Sequence, residues 1–331
     1  MVDEYEVIRL MAKRFGGLPE GYVPIGDDVA LIPPGTRGKG VVLKCDMLVA
    51  KTDVPPGMSL KMAARKAVAM CVSDFAAKGV RPTAFMISLG LRRETPEDEV
   101  VELASGLLEA SREWDLKLVG GDTNETEGLI IDCMMVGFAD GIVRRDGARP
   151  GEFVVTSGTF GQTAAGLKIL VEGAKAGPDF RKEAVASVCV PKPRLALGLA
   201  ISRYLSSSID SSDGLAISLH TIAELSGAGI RLTEVPYAKG LEEFASRNSY
   251  SADDLALYGG EEYEIVGTVR KERLREAKAK ARSVGFELRV IGETVSAETL
   301  KGVALSDGKK VRKDGWVHFT SSSRPGAATL P

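Results

Sequence analysis

The amino-acid sequence predicts a mixed α/β protein built from two domains. Its 331 residues match two domains of about 150 residues each. The composition is 44% hydrophobic and 27% charged, which is enough apolar material for a core in each half. Helix-like and strand-like segments alternate, but several strands follow one another directly. This order favours mixed α/β domains over one doubly wound sheet.

The first half contains three helix-like and five strand-like segments. Residues 1–16 have the periodicity of an amphipathic helix. A long helix is expected to begin after Ser59 as its N-cap and to end at Gly79, and the next helix has Pro96 in its first turn. The expected strands are VALI after a Gly-Asp-Asp turn, a strand over roughly 40–46 ending at Asp46, TAFMISLGL, LKLV running into a glycine pair, and LIIDCMMVGFAD.

The polar segment RRDGARPGE predicts a domain boundary near residue 148. We therefore expect an N-terminal domain over 1–148, a C-terminal α/β domain over 149–320 and a flexible tail over 321–331. The second domain is expected to begin with two units in which a turn joins a strand to a helix: a glycine turn in FVVTSGTFGQTAAGLKILVEG and an acidic turn in SSSIDSSDGLAISLHTIAELSGAG. The strand IRLTEVP follows, and then a glycine-acid turn that leads into a strand in LYGGEEYEIVGTV. The domain is expected to end with the helix RKERLREAKAKARSVGF and the strands FELRVIGETV and KGVAL.

Charge and hydropathy exclude several classes of protein. The formal net charge is -2, whereas a generic nucleic-acid binder carries a basic excess. The apolar runs are far shorter than the roughly 20 residues of a membrane span. The charged first segment does not resemble a signal peptide. We expect a cytoplasmic protein that binds neither nucleic acid nor membrane.

The common nucleotide-binding signatures are absent, since the chain has no GxxxxGK[ST] loop and no GxGxxG after a strand. The glycine-rich stretch from Gly158 to Gly166 lies at a strand-to-helix turn. Its backbone amides could hold an anion at the helix N-terminus, or the glycines could serve only a tight turn with close helix packing. Both interpretations remain open.

Six aspartates carry the strongest chemical signal. Five of them follow apolar strand-like runs or glycine turns, and Asp74 lies within the apolar face of a helix. Acidic side chains in such places are costly unless they are paired or bind a metal. With two histidines and no CxxC pair, the set favours Mg²⁺ over zinc. A magnesium cluster that holds a polyphosphate accounts for all six: Asp28, Asp46, Asp74, Asp122, Asp210 and Asp213.

Seven motifs in fixed order resemble the thiamine-monophosphate kinases, a family of the aminoimidazole ribonucleotide synthetase-like (PurM-like) superfamily. They are GDDVALI, CDMLV, VSDFAAKG, GGDTNE, RRDGARPGE, IDSSDGL and YGGEEYE. The resemblance implies a two-domain PurM-like fold whose N-terminal strands pair across a homodimer. It also implies ATP as co-substrate, several Mg²⁺ ions and phosphorylation of thiamine monophosphate to thiamine diphosphate.

The resemblance further implies a role for each matching residue. The six aspartates match metal ligands, and Glu261 and Trp316 match contacts of the thiamine substrate. Trp316 could instead be an aromatic cap on the C-terminal core. Gly121, Asp122, Arg145 and Ser212 match contacts of the nucleotide. Asp53 stands where a substrate-binding histidine is common. The residues expected to act in catalysis are Asp74, Asp122, Arg145 and Asp213.

The chain departs from the family pattern in three segments. Lys44 and Cys45 stand where two hydroxyl residues are common, Asp53 replaces the histidine, and Glu262 ends a motif that usually reads GGED. The number of metals and the identity of the acceptor therefore remain open. Lys44 either points into the acidic cluster or away to solvent. The alternatives to a thiamine-phosphate kinase are a related ATP-dependent enzyme with another acceptor and a nucleotide-binding regulator without catalysis.

Overall fold

A computed structural model describes residues 4–15, 18–23, 26–34 and 38–317. The predicted tail over 321–331 and the last three residues of the predicted second domain lie outside this part of the chain. The elements of the first half are α1 (Glu4–Phe15), β1 (Ala30–Ile32), β2 (Gly40–Val49), α2 (Ala50–Asp53), α3 (Leu60–Lys78), β3 (Pro82–Leu91), α4 (Glu97–Glu113), β4 (Lys117–Glu125) and β5 (Ile130–Ala139).

These strands form one five-stranded sheet in the order β1-β2-β5-β3-β4. β2 and β5 are antiparallel and pair over ten residues, from Gly40 opposite Ala139 to Val49 opposite Ile130. Only β3 and β4 run parallel. One face of the sheet packs against α3 and α4 through a shared hydrophobic core. Within β2 this face carries Val42 and Leu48, both fully buried.

The opposite face of this sheet is uncovered in the single chain. Met47, Met86, Met134 and Phe138 are between 43% and 56% exposed. Every residue of β4, the edge strand, is exposed as well. The sheet is therefore apolar on both faces.

The second half holds a six-stranded sheet in the order β11-β8-β10-β6-β9-β7, in which only β11 and β8 are parallel. Its elements are β6 (Phe153–Thr156), α5 (Gln162–Glu172), α6 (Pro178–Cys189), α7 (Leu195–Ile201), β7 (Leu205–Asp210), α8 (Leu215–Ser226), β8 (Ala228–Leu232), α9 (Leu241–Arg247), α10 (Ala252–Tyr258), β9 (Ile265–Val269), α11 (Leu274–Ser283), β10 (Arg289–Ser296) and β11 (Gly302–Leu305).

Helix α3 joins the two halves. It begins after Ser59, whose side chain accepts the Met62 N–H at 3.2 Å, and it ends at Gly79 in the left-handed conformation. Nearly all of its residues are buried. On the side of the second half, α7 packs so closely that a Cβ on Gly198 would lie 1.9 Å from the Ala76 carbonyl oxygen. The helix thus supplies polar side chains to a boundary that is closed to water.

The predicted mixed α/β class is confirmed, and several details differ. β2 continues past Asp46 to Val49, and Pro96 is the N-cap of α4 and not part of its first turn. The strand LKLV does not stop at the glycine pair, because β4 runs through it to Glu125. In the part of the chain that the structure describes, five helices were not anticipated: α2, α6, α7, α9 and α10. Among the described residues, no helix is long and apolar enough to cross a membrane.

Candidate active site

Three predicted metal ligands converge at the boundary between the two sheets. Asp28 lies on the Gly-Asp-Asp turn before β1, Asp74 on α3 and Asp210 at the end of β7, and all three are buried. One carboxylate oxygen from each lies within 4.8 Å of the other two. Residues distant in sequence therefore form one compact group of carboxylates.

The Gly-Asp-Asp turn is held by two cations. Lys78, which is fully buried, places its Nζ 2.7 Å from Asp27 Oδ1 and 2.5 Å from Asp28 Oδ2. Its Nζ also donates to the Ser208 carbonyl at 2.6 Å. Arg145 pairs with Asp28 Oδ1 and donates to the Gly26 carbonyl at 2.6 Å. Burial would raise the pKa of Asp28, but Lys78 and Arg145 hold this pKa below its usual value.

The other two carboxylates of the group resist ionisation. Burial, together with the nearby Asp210 and Asp46, raises the pKa of Asp74 well above its usual value despite the attraction of Lys44. Burial and the neighbouring Asp28 raise the pKa of Asp210 to about 6. The Ser73 hydroxyl donates to Asp210 Oδ2 at 2.8 Å. Both pKa values are raised because burial and neighbouring carboxylates disfavour negative charge, and a bound cation would relieve that repulsion.

Lys44 points into this cluster. Its Nζ lies 3.1 Å from Asp74 Oδ2 and 3.2 Å from Asp46 Oδ1. Burial alone would lower the pKa of Lys44, but Asp46 and Asp74 raise it well above its usual value. The side chain is thus a fixed positive charge, and the interpretation in which Lys44 faces solvent is wrong.

The residues predicted to contact the substrate are connected to the acidic turn that follows β7. The backbone N–H of Glu261 donates to the Ser212 carbonyl at 2.6 Å, and the backbone N–H of Trp316 donates to the Asp213 carbonyl at 2.9 Å. The Glu261 carboxylate also forms an ion pair with Lys66, which is fully buried. The same Lys66 Nζ donates to the Asp53 carbonyl at 2.9 Å. Lys66 was not singled out from the sequence, although it links two predicted substrate residues.

Asp53 and Trp316 differ in how freely they can meet a ligand. The Asp53 carboxylate accepts the Val49 N–H at 2.7 Å, so it closes the turn after β2. Trp316 is 39% exposed, so part of the residue is accessible, whether it contacts substrate or caps the C-terminal core. The indole therefore remains the more accessible of the two groups.

Gly121 and Asp122 lie apart from these contacts. Both belong to β4, where Gly121 pairs with Ile87 and Asp122 with Ser88. A Cβ on Gly121 would lie 2.0 Å from the Ile87 carbonyl oxygen, so this glycine permits close strand pairing and the predicted turn is wrong. In the described part of the chain, no hydrogen bond or ion pair joins Asp122 to the other predicted site residues.

The side chain of Glu262 binds the backbone of the glycine-rich stretch before α5. Its Oε1 accepts the N–H of Gly161 at 2.7 Å and that of Thr163 at 3.1 Å, and its Oε2 accepts the Thr163 hydroxyl at 3.2 Å. The acceptor at this helix N-terminus is thus the protein's own side chain, that of Glu262. The small residues also permit close packing, since a Cβ on Gly166 would lie 2.1 Å from the Ala184 carbonyl oxygen.

Comparison with known proteins agrees with this fold and motif order. Residues 26–139 match the family model described as AIR synthase related protein, N-terminal domain. The thiamine-monophosphate kinase of Nitrosopumilus maritimus (strain SCM1) is 35% identical over 321 residues, which are 96% of this chain and 99% of the relative. The enzyme of the same name from Pyrococcus abyssi (strain GE5 / Orsay) is 33% identical, covering 96% of each chain.

A solved structure leads to the same family. The structure described as AaThiL complexed with AMPPCP and TMP superposes with a TM-score of 0.84 at 28% identity, covering 96% of this chain and 97% of that one. The two kinases above are more than 30% identical to this chain and match 96% of its length. The chain belongs to the thiamine-monophosphate kinase family.

Proposed function

We propose that this protein transfers the γ-phosphate of ATP to thiamine monophosphate, with Mg²⁺ held by its carboxylate cluster. The observation that carries the proposal is the group of three buried carboxylates drawn from three separate elements. A relative of the same fold is described in complex with AMPPCP and TMP, an ATP-like ligand and an acceptor. Its likeness to this chain supports the same pair of substrates here.

The donor set fits magnesium. The cluster offers only carboxylate oxygens, which this ion prefers, and it contains no histidine or cysteine ligand among the described residues. Asp28 Oδ2 is fully buried, and Lys78 Nζ lies 2.5 Å away from it. Asp28, Asp74 and Asp210 would hold the ion, with Asp122 and Asp213 as further ligands that the family resemblance implies. Asp46, the remaining ligand that the resemblance implies, pairs with Lys44. When bound, magnesium neutralises phosphate charge during transfer.

The chain's own residues would bring two anions together. A terminal phosphate oxygen of thiamine monophosphate forms the new bond to the γ-phosphorus, and the bond from that phosphorus to the β-γ bridging oxygen breaks, so that ADP leaves in line. The attacking oxygen is already ionised, so no general base is required. Arg145 would help to neutralise the nucleotide, while Ser212 and Gly121 would contact it.

The acceptor would bind beside the acidic turn after β7. Glu261 and Trp316 are both hydrogen-bonded to the backbone of this turn, which also follows Asp210 directly in the chain. A thiazolium cation and an aromatic ring attract each other through the ring quadrupole. The exposed indole of Trp316 would therefore hold the thiamine portion, and the negative charge of Glu261 would complement its positive charge.

We also propose that the protein acts as a homodimer through the uncovered face and edge of the first sheet. Exposed methionine, phenylalanine and leucine side chains on a sheet normally contact another surface. An unpaired edge strand such as β4 also favours a partner. Gly121 and Asp122, which lie on that strand, would then contribute to a nucleotide cleft completed by the second subunit.

A coupled assay tests the proposed reaction. ATP consumption should depend on thiamine monophosphate and on Mg²⁺, with ADP and thiamine diphosphate formed in equal amounts as read by ³¹P NMR. Unphosphorylated thiamine lacks the attacking phosphate oxygen and should give no turnover. ATP hydrolysis that ignores thiamine monophosphate would point to another acceptor, and nucleotide binding without turnover would point to a regulator.

A further inference from the structure

Lys44 lies where its charge competes with a metal ion. Alternation along β2 puts Lys44 and Asp46 on the face that carries the buried Val42 and Leu48, directly under α3. The ammonium therefore lies between the carboxylates of Asp46 and Asp74, at 3.2 and 3.1 Å. Its side chain is only 21% exposed, so it is packed in this position and not extended into solvent.

The charges of the cluster limit the number of divalent ions. Five carboxylates and three cationic side chains meet here, namely Asp27, Asp28, Asp46, Asp74 and Asp210 with Lys44, Lys78 and Arg145. With all of them ionised, two negative charges are left over, which one divalent ion cancels. Without Lys44 three negative charges would remain, and a single divalent ion would leave one of them uncompensated.

An ammonium cannot share its position with a metal. It carries three hydrogen-bond donors and no lone pair, so it cannot act as a ligand. It also occupies the space between Asp46 and Asp74, and it repels a second cation across a short distance in a poorly hydrated environment. Asp28 and Asp210 form no ion pair with Lys44: Asp28 pairs with Lys78 and Arg145, and Asp210 accepts the Ser73 hydroxyl.

We propose that Lys44 serves as a built-in cation in place of a divalent ion between Asp46 and Asp74. The nucleotide-free protein then binds one divalent ion, held by Asp28, Asp74 and Asp210. Removal of the Lys44 charge opens a second divalent site at Asp46. This inference rests on the proposed function for the presence of a metal site, but it concerns the number of ions and not the reaction.

Mn²⁺ titration of the nucleotide-free protein tests the number of ions, with free Mn²⁺ measured by electron paramagnetic resonance. Mn²⁺ shares the oxygen-ligand chemistry of Mg²⁺. We expect one ion per chain for the wild type and two for Lys44→Met. Lys44→Arg keeps the charge and should bind one. Lys51, exposed on the short helix α2 that follows β2, supplies the control, and Lys51→Met should also bind one.

The position of the ions gives a second readout that needs no variant. Wild-type crystals soaked in Mn²⁺ should show one anomalous peak, beside Asp28, Asp74 and Asp210. A peak bonded to both Asp46 and Asp74 overturns the proposal, as does a wild-type stoichiometry of zero or of two. One ion in folded Lys44→Met also overturns it. Should Lys44→Met fail to fold, the wild-type peak alone decides.

These outcomes are independent of the proposed reaction. If the protein binds one Mn²⁺ but does not phosphorylate thiamine monophosphate, the result supports the role of Lys44 and contradicts the proposed function. If it forms thiamine diphosphate but binds two Mn²⁺ ions before nucleotide is added, the result supports the proposed function and contradicts the role of Lys44.

Discussion

Lys66 Nζ lies 2.5 Å from Glu261 Oε1, and this ion pair crosses from helix α3 to the loop before β9. The lysine is fully buried, whereas the Glu261 side chain is 24% exposed. Glu261 is held in the left-handed backbone conformation, with φ of 62°. A non-glycine residue adopts this conformation at a cost. Lys66 therefore helps to fix a predicted substrate residue in an unfavourable backbone geometry.

Replacing one partner of this ion pair should lower the free energy of unfolding by more than replacing both. Glu261→Gln leaves a buried ammonium with the Asp53 carbonyl alone, and we expect a loss of about 3 kcal/mol in the free energy of unfolding. Lys66→Met combined with Glu261→Gln should recover most of that loss. Urea denaturation measures these values. Lys61 is on the same helix as Lys66 and forms an exposed pair with Glu109 of α4. Lys61→Met should therefore lower the free energy of unfolding by less than about 1 kcal/mol. Strictly additive effects would contradict the coupling.

Asp74→Asn should reduce turnover by about 100-fold or more while leaving the fold intact. Asp74 belongs to the buried carboxylate group and also pairs with Lys44. Its replacement removes one negative charge from a site with an excess of them, so thermal stability without metal should not fall. Steady-state kinetics and circular dichroism measure the two effects. Near-normal turnover in a folded variant would remove the basis of the proposed metal site.

Glu262 should make stability depend on pH. Burial raises the pKa of Glu262 to about 7, against the opposing hydrogen bonds from Thr163 and Gly161. The folded protein thus keeps a proton that the unfolded chain releases above its usual pKa of 4.5. The contribution of this group to stability is largest below that pKa and is lost as the pH rises through about 7.

Glu262→Gln removes this titration, so the variant should gain stability relative to the wild type between pH 5 and 8. Each pKa unit corresponds to about 1.4 kcal/mol, so we expect a relative gain of roughly 1–3 kcal/mol. Denaturation of both proteins at the two pH values measures the difference. Glu183→Gln, at an exposed position on α6, supplies the control and should show no comparable trend. A pH-independent difference for Glu262→Gln would refute the expectation.

Met134→Asp should convert the proposed dimer to a monomer. Met134 is 47% exposed at the centre of the uncovered sheet face, where a charge would have to be buried on association. Light scattering at micromolar concentration gives the mass of each protein. Leu225→Asp changes a side chain of similar exposure in α8 of the second half, and that variant should remain dimeric. A wild type that is monomeric under these conditions would disprove the proposed assembly.

The sequence predicted most of the carboxylate cluster because aspartates at strand ends and in an apolar helix are costly without a partner. It could not decide the direction of Lys44. The outward positions of β2 include Leu43 and Met47, and they are as apolar as the inward Val42 and Leu48. Alternation therefore identified two faces of the strand but not which of them faces the core.

Lys66 and Lys78 were also missed. A lysine in a helix is normally exposed, and the chain offers no local motif that marks these two. The available signal was the distribution of apolar residues around all sides of α3, which is typical of a helix buried on every side. The lysines of such a helix must find buried acceptors, and both do so, at Glu261 and at Asp27 and Asp28.

The contacts between α3 and β7 also impose an order on biosynthesis. All strands of the first sheet lie between residues 30 and 139, so this sheet can pair while the ribosome is still translating the second half. Asp210 and the Ser208 carbonyl emerge about 70 residues later, which is roughly 4–14 s at common elongation rates. Until then Lys78 lacks one acceptor and the carboxylate group lacks its third member. A nascent chain therefore cannot assemble the complete carboxylate group before its second half is made.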